Sequence, residues 1–170
     1  MVLSAVSIID IERSVLETLE NLGIVCVRHE HPPVATVEEA EKHWARLQGT
    51  HCKNLFLRNN KGNRHYLVIA PVTRGIDLKR LTAQLSEDRL SFASPERLKR
   101  VLGLEPGSVS PFGLIHDAGR EVRVVLDRSL KDSAFLGFHP NINTATLEIS
   151  LADFERFLAS RENPVRWLEL

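Results

Sequence analysis

Three groups of residues in this 170-residue chain could do chemistry. The first is Lys53, at the head of the run Lys53-Asn54-Leu55-Phe56-Leu57. Side chains alternate between the two faces of a strand, so Lys53 shares a face with Leu55 and Leu57, while Asn54 and Phe56 share the other. An ammonium aimed along apolar surface must snorkel outward or meet an anion, and spacing by itself favours snorkelling. The second group is Gly107-Ser108-Val109-Ser110-Pro111-Phe112-Gly113. Glycines at both ends permit unusual backbone angles and Pro111 stiffens the middle. Such a loop can aim several N–H groups at one carbonyl or oxyanion. It does not match the triphosphate-binding pattern GxxxxGK[ST]. Ser108 and Ser110 sit in no GxSxG elbow, and turn hydroxyls usually bond local backbone, so neither reads as a nucleophile. The third group is histidine. His29-x-His31 would share a face if extended, but there is no HExxH and no CxxC, so no metal and no cofactor is expected. Basic clusters occur at Arg74, at Lys79-Arg80, and at Arg97, Lys99 and Arg100. They read as solvated helix faces or as phosphate contacts.

These residues need elements to hold them. Apolar runs over residues 54–58 and 65–70 flank Asn59-Asn60-Lys61-Gly62-Asn63, which predicts a β-hairpin with Lys53 at the mouth of its first strand. A helix is predicted over 8–21, opened by the capping box Ser7-x-x-Asp10 and stopped by Gly23. A short strand over 24–27 follows. His29-Glu30-His31-Pro32-Pro33 then breaks regular structure, which makes His29 and His31 loop residues. Thr36-x-x-Glu39 opens a second helix to about Leu47. Further helices are predicted over 77–85 and from Ser94-Pro95-Glu96 to Gly103. Strands are predicted over 121–127 and 144–149, with 135–143 as a loop between them. Ser150-x-x-Asp153 caps a last helix to about Ser160, and residues 161–170 read as a tail. Without a regular βαβ rhythm, this order predicts a single α+β domain with a mixed sheet.

Composition narrows the function. Lys and Arg number 22 and Asp and Glu number 22, so no basic surplus marks a general nucleic-acid coat protein. A local basic patch stays open. Cys26 and Cys52 suggest neither a disulfide scaffold nor a zinc ribbon, and fit free thiols in a reducing cytosol. The acidic start without a cleavage site, and the lack of an apolar run near 18 residues, predict neither a signal peptide nor a membrane span.

Four sets of residues together resemble the YbaK/prolyl-tRNA synthetase-associated editing-domain family. They are His31-Pro32-Pro33 with Thr36-Val37-Glu38-Glu39-Ala40; Lys53-Asn54-Leu55-Phe56-Leu57; the 107–113 loop; and Gly137-Phe138-His139-Pro140 with Asn143-Thr144-Ala145-Thr146. Their order and spacing match from about Ile9 to Leu158, and the set is more specific than any one member. The chain is most similar to the free-standing branch that removes alanine from mischarged tRNA-Pro. The resemblance implies a mixed, barrel-like sheet with surrounding helices. It makes Lys53 the signature lysine that holds the acceptor end. It makes Gly107 and Pro111, with Ser108, Val109 and Ser110 between them, the GxxxP loop whose backbone receives the aminoacyl carbonyl. It places His139 in the pocket, with Gly137, Phe138, His31, Asn54 and Thr144 around the substrate. The partners it implies are the acceptor end of mischarged tRNA-Pro and prolyl-tRNA synthetase, with phosphate contacts through Lys79, Arg80, Lys99 and Arg100. Oligomeric state is left open.

An aminoacyl ester is already activated, so its hydrolysis needs a placed water or the terminal ribose hydroxyl, and donors for the developing oxyanion. No carboxylate pair near Lys53 suggests a conventional general base. Alternatives are a cysteine- or serine/threonine-removing deacylase, a non-catalytic module for the tRNA end, and a regulatory domain for a free amino acid.

Overall fold

The computed structural model describes residues 7–33 and 47–170. Helix α1, Ile8–Asn21, begins at the capping box: Ser7 accepts from the Asp10 backbone while Asp10 reaches back to Ser7. Gly23, at φ 65, turns the chain into β1, Cys26–Glu30. This strand starts later and runs further than predicted. Pairing with the strand over Ala145–Ser150 outweighs the loop signal of its histidines, so His29 lies in β1 rather than in a loop. The helix predicted from Thr36 to about Leu47 lies outside the described residues.

The predicted hairpin forms, from β2, Thr50–Asn59, and β3, His65–Pro71, but pairing with β3 extends its first strand back past 54, so Lys53 lies within β2 rather than at its mouth. Gly62, at φ 70, and the Asn59 amide hold its turn. Helix α2, Leu78–Gln84, is capped by Asp77, and β4, Leu90–Phe92, returns to β2. Helix α3, Pro95–Leu102, starts on Ser94 and stops at Gly103, at φ 68. After a 3-10 turn over Pro111–His116 come β5, Val122–Asp127, and a second 3-10 turn over Arg128–Asp132. Strand β6, Phe135–Phe138, occupies part of the stretch expected as a loop. Strand β7, Ala145–Ser150, leads directly into α4, Leu151–Arg161. The expected tail instead carries β8, Val165–Leu168, which pairs in parallel with β5.

The eight strands run β1-β7-β6-β2-β3-β5-β8, with β4 attached to β2. Parallel pairs (β2/β6, β3/β5, β5/β8) mix with antiparallel ones, giving the α+β architecture expected. Leu136, Phe138, Leu147 and Ile149 from one half meet Leu67, Ile69, Val124 and Leu126 from the other in one core. The sheet therefore wraps around that core. Helices α1, α3 and α4 close it, and Phe112 stands edge-on to both Phe138 and Phe157. A smaller cluster on the opposite face of β2, β3 and β5 packs Leu57, Tyr66, Val68 and Val125 under Leu81 of α2 and Leu85 at its C-cap. Among the described residues, no helix is long and apolar enough to cross a membrane.

Candidate active site

Strand β2 is longer than any partner on one of its edges. There β6 covers only Thr50 and His51, and β4 covers only Leu57 to Asn59. The edge between them is filled by the glycine- and proline-bounded loop. Asn54 Nδ2 donates to Val109 O at 3.1 Å, and Ser110 Oγ donates to His139 O at 2.5 Å. Ser110 also caps the 3-10 turn by accepting from Phe112 N. The loop is thus tied to β2 on one side and to the end of β6 on the other. Gly107 adopts φ 86, where L side chains are strained, and a Cβ there would meet nothing within 4 Å. The need is for backbone direction, not for space. Among the described residues, no protein oxygen accepts from the N–H groups of Val109 or Ser110.

Register assembles one polar face from four strands. His29 pairs with Thr146, Glu148 with Gly137, and Gly137 with His51, so these share a face, with Lys53 two residues beyond His51. A Cβ on Gly137 would lie 3.3 Å from both His51 Cε1 and Thr146 Cγ2, so only glycine lets the two close over the strand. Just past β6, His139 brings its ring to 5.7 Å from that of His31. His139 Nδ1 donates to Ala145 O at 2.8 Å, which leaves Nε2 without the proton in the neutral ring. His31 Nδ1 lies 2.9 Å from Pro32 O and its Nε2 3.0 Å from Thr146 Oγ1. The Glu148 carboxylate accepts from Gln48 N and Gly49 N. Burial, then His139, His31 and His29 around it, hold the His51 ring down to about 4. Burial also lowers His139, partly offset by its bond to Ala145. Lys53, half-buried, donates from Nζ to the carbonyl of Arg74. The Arg74 guanidinium in turn pairs with buried Asp127. A fixed cation, the His51 and His139 rings that burial keeps uncharged, and a loop presenting backbone N–H groups can hold an anionic group and stabilise an oxyanion.

Comparison with known proteins decides what such a site serves. Residues 31–157 match the model of the aminoacyl-tRNA editing domain. The chain belongs to the aminoacyl-tRNA editing domain family. Prolyl-tRNA editing protein ProX of Acetoanaerobium sticklandii is 41% identical over 161 residues, covering 95% of this chain and 98% of its own. The prolyl-tRNA synthetase associated domain-containing protein 1 of Danio rerio is 36% identical, covering 94% of this chain and 88% of its own. A crystal structure described as a candidate trans-editing enzyme for prolyl tRNA synthetase superposes with TM-score 0.73 over 96% of this chain and 99% of its own. At 23% identity, that likeness bears on the fold. As an editing domain, the chain is an aminoacyl-tRNA deacylase, with aminoacyl-tRNA as its substrate.

The editing domain brings most of the residues predicted from sequence to one place, and separates a few. Lys53, His31, Gly137 and His139 lie on the polar face, and Asn54 with residues 107–111 borders it. Alternation turns Phe138 to the opposite face, where it packs 4.6 Å from Phe154 in the core and lines no site. Thr144 contributes its carbonyl, which accepts from His31 N. Ser108 folds back to Glu105 O. Lys79 and Arg80 stand exposed on α2, over the smaller cluster, whereas Lys99 and Arg100 stand exposed on α3, over the main core. They are two basic groups rather than one patch, and Lys99 is engaged with Glu105 at 2.8 Å. Two residues of the polar face, His51 and Glu148, had no place in the sequence reading, and Thr146 entered it only as part of the Asn143–Thr146 motif. The period-2 patterns His51-x-Lys53 and Thr146-x-Glu148 carried the signal. Among the described residues, no three His, Cys, Asp or Glu side chains are grouped to hold a metal ion.

The histidine face makes stability depend on pH with a definite sign. A base whose folded value lies below its ordinary 6.5 binds more protons unfolded than folded between the two values. Its contribution is therefore constant above the ordinary value and is lost as pH falls towards the folded one. The Tm of the wild-type protein is expected to fall between pH 6.5 and about 4 more steeply than that of His51→Gln. Parallel melting curves for the two would remove His51 from this account.

Proposed function

We propose that the chain is a trans-editing hydrolase that removes alanine from mischarged tRNA-Pro. The observation that carries the reading is the junction where the 107–111 loop fills the edge of β2. There Lys53, the 107–111 loop and His139 are tied together through Asn54 and through the Ser110–His139 bond. The names of the relatives in bacteria and fish point to the same tRNA.

The chemistry follows from the groups present. Lys53, held by Arg74 O, places positive charge against the terminal phosphodiester without serving as a base. The loop backbone receives the aminoacyl carbonyl, and its N–H groups stabilise the oxyanion as the tetrahedral centre forms. Because burial keeps His51 and His139 uncharged, the site does not repel the substrate's α-ammonium. Among the described residues no carboxylate is placed on Lys53, so the attacking group is a water, oriented by the free ribose hydroxyl of the substrate, and its hydroxyl passes to the acyl carbon while its proton passes to the departing ribose oxygen. The amino acid leaves when the ester C–O bond breaks and the ribose oxygen regains its proton. Lys79, Arg80, Lys99 and Arg100 lend phosphate contacts on either side of the acceptor strand. Prolyl-tRNA synthetase supplies the mischarged substrate.

The test is hydrolysis of tRNA-Pro charged with alanine, serine or cysteine. Alanine is expected to leave fastest. Clear preference for cysteinyl-tRNA-Pro would favour a cysteine-removing editor, and hydrolysis of none would reduce the chain to a binding module.

A further inference from the structure

Arg74 is engaged at both ends. Its carbonyl accepts from Lys53 Nζ, and its guanidinium Nε lies 3.2 Å from Asp127 Oδ2. Register explains how one residue reaches both. Lys53 pairs with Ala70, and Asp127 stands one step beyond the paired Ile69 and Leu126. Lys53 and Asp127 therefore occupy one row of the sheet and one face of it, two strands apart, with the small Ala70 between them. Val72 N donates to His51 O at 2.8 Å and Arg74 N to Pro71 O at 2.9 Å, which folds residues 71–74 into a turn beside this row. The turn borders a cavity of about 340 Å³, lined by Pro71, Thr73, Arg74, Gly75 and Ser129. A Cβ on Gly75 would meet nothing within 4 Å, so that side of the turn is open. The Asp127 end is fixed instead. Its side chain is 1% exposed, against 40% for Arg74. Its Oδ1 accepts from Ser129 N at 2.8 Å and from Ser129 Oγ, and its backbone pairs with Leu168 of β8. A buried carboxylate is costly without a counter-charge, so it draws the guanidinium in.

We propose that Asp127 is a positioning residue for deacylation, which fixes the 71–74 turn through the Arg74 guanidinium and thereby aims the Lys53 ammonium through the Arg74 carbonyl. This rests on the reading of Lys53 as the group that holds the substrate phosphate. A lysine ammonium ends a flexible four-carbon stem, and one hydrogen bond to a carbonyl selects its place only while the carbonyl stays put. Misplacement of a reacting or holding group by 1 Å can cost about 10²-fold in rate. An ion pair with one partner exposed adds little to stability, so what this one contributes is direction. The Asp127 carboxylate acts from two strands away, through Arg74.

The test is single-turnover hydrolysis of alanyl-tRNA-Pro by the wild type, Asp127→Asn, Arg74→Ala and Arg74→Lys, each also made in the Lys53→Ala background, with a melting curve for every protein. Asp127→Asn keeps an acceptor for Ser129, and Arg74 is partly exposed, so the variants are expected to fold. With Lys53 present, Asp127→Asn and Arg74→Ala are each expected to slow hydrolysis about tenfold, short of the full cost of a 1 Å misplacement. Arg74→Lys keeps a cation within reach of Asp127 and is expected to recover most of that loss. With Lys53 replaced by alanine, neither Asp127→Asn nor Arg74→Ala is expected to slow the reaction further, because both act through the missing ammonium. A merely structural ion pair would cost the same factor in both backgrounds, and that result overturns the proposal. Wild-type rates for Asp127→Asn and Arg74→Ala overturn it equally. If Asp127→Asn fails to fold, Arg74→Ala decides by the same comparison. A wild-type rate for Lys53→Ala would instead overturn the reading of Lys53, and the proposal with it.

Discussion

Replacing Lys53 with alanine is expected to slow deacylation by about 10²–10³-fold, the scale of losing one placed stabiliser of developing charge. The fold should survive. Lys53 is half-buried on β2, and its one described polar contact is with the Arg74 carbonyl. Its backbone pairing with Ala70 does not depend on the side chain. The Tm is expected to shift by less than about 4 °C, what roughly 1 kcal/mol does to a chain of this size. Lys53→Arg is expected to rescue little, because a forked guanidinium does not fit a site made for a compact ammonium held by one carbonyl. Single-turnover hydrolysis of alanyl-tRNA-Pro reads the first effect and thermal melting the second. Rates within twofold of wild type would remove Lys53 from the site.

His139→Ala is expected to alter discrimination as well as rate. An activating site that fits proline cannot exclude alanine by size, because a missing methylene is worth only about 1–3 kcal/mol. A second site must therefore admit alanine and refuse proline. Pro140 restricts the backbone of His139, Ala145 O fixes its ring through Nδ1, and Ser110 holds its carbonyl, so the ring is a stiff wall. Truncation removes the ring but leaves the Ser110 bond to the main chain. Alanine removal is expected to slow about tenfold, and the margin over prolyl-tRNA-Pro to narrow by a similar factor, the low end of that range. Alanyl-, seryl-, cysteinyl- and prolyl-tRNA-Pro are compared for the two proteins. An unchanged ranking with unchanged rates would take His139 out of the pocket.

What could be read from the chain beforehand was whatever is encoded within a few residues. The boundaries of α1 and α3 follow from Ser7 with Asp10, Ser94 with Pro95, and the two left-handed glycines after them. The hairpin follows from the Asn- and Gly-rich turn. Strands that exist by virtue of distant partners were not legible. Phe135–Phe138 looks like a loop because Gly137 weakens it locally, and it becomes β6 because β2 and β7 pair with it. Val165–Leu168 looks like a charged tail, and it becomes β8 because the edge of β5 accepts it.

The site divides in the same way. That Lys53 lies opposite Asn54 was visible from alternation within one strand. That His51, Gly137, Thr146 and His31 lie on the face of Lys53 was not, because it needs the parallel pairing of His51 with Gly137, far apart in the chain. The same alternation, applied to β6, turns Phe138 away from the pocket that its neighbours form. The family resemblance supplied the grouping that local patterns could not, and it was indifferent to which way each side chain points.

The central claim is that this domain destroys alanyl-tRNA-Pro and spares prolyl-tRNA-Pro. The most direct measurement gives the wild-type protein, in excess, the same tRNA-Pro charged with each amino acid, and follows loss of the ester at pH 7. Rapid release of alanine, with prolyl-tRNA-Pro decaying no faster than without protein, is the predicted result. Equal hydrolysis of both, or of neither, would contradict it.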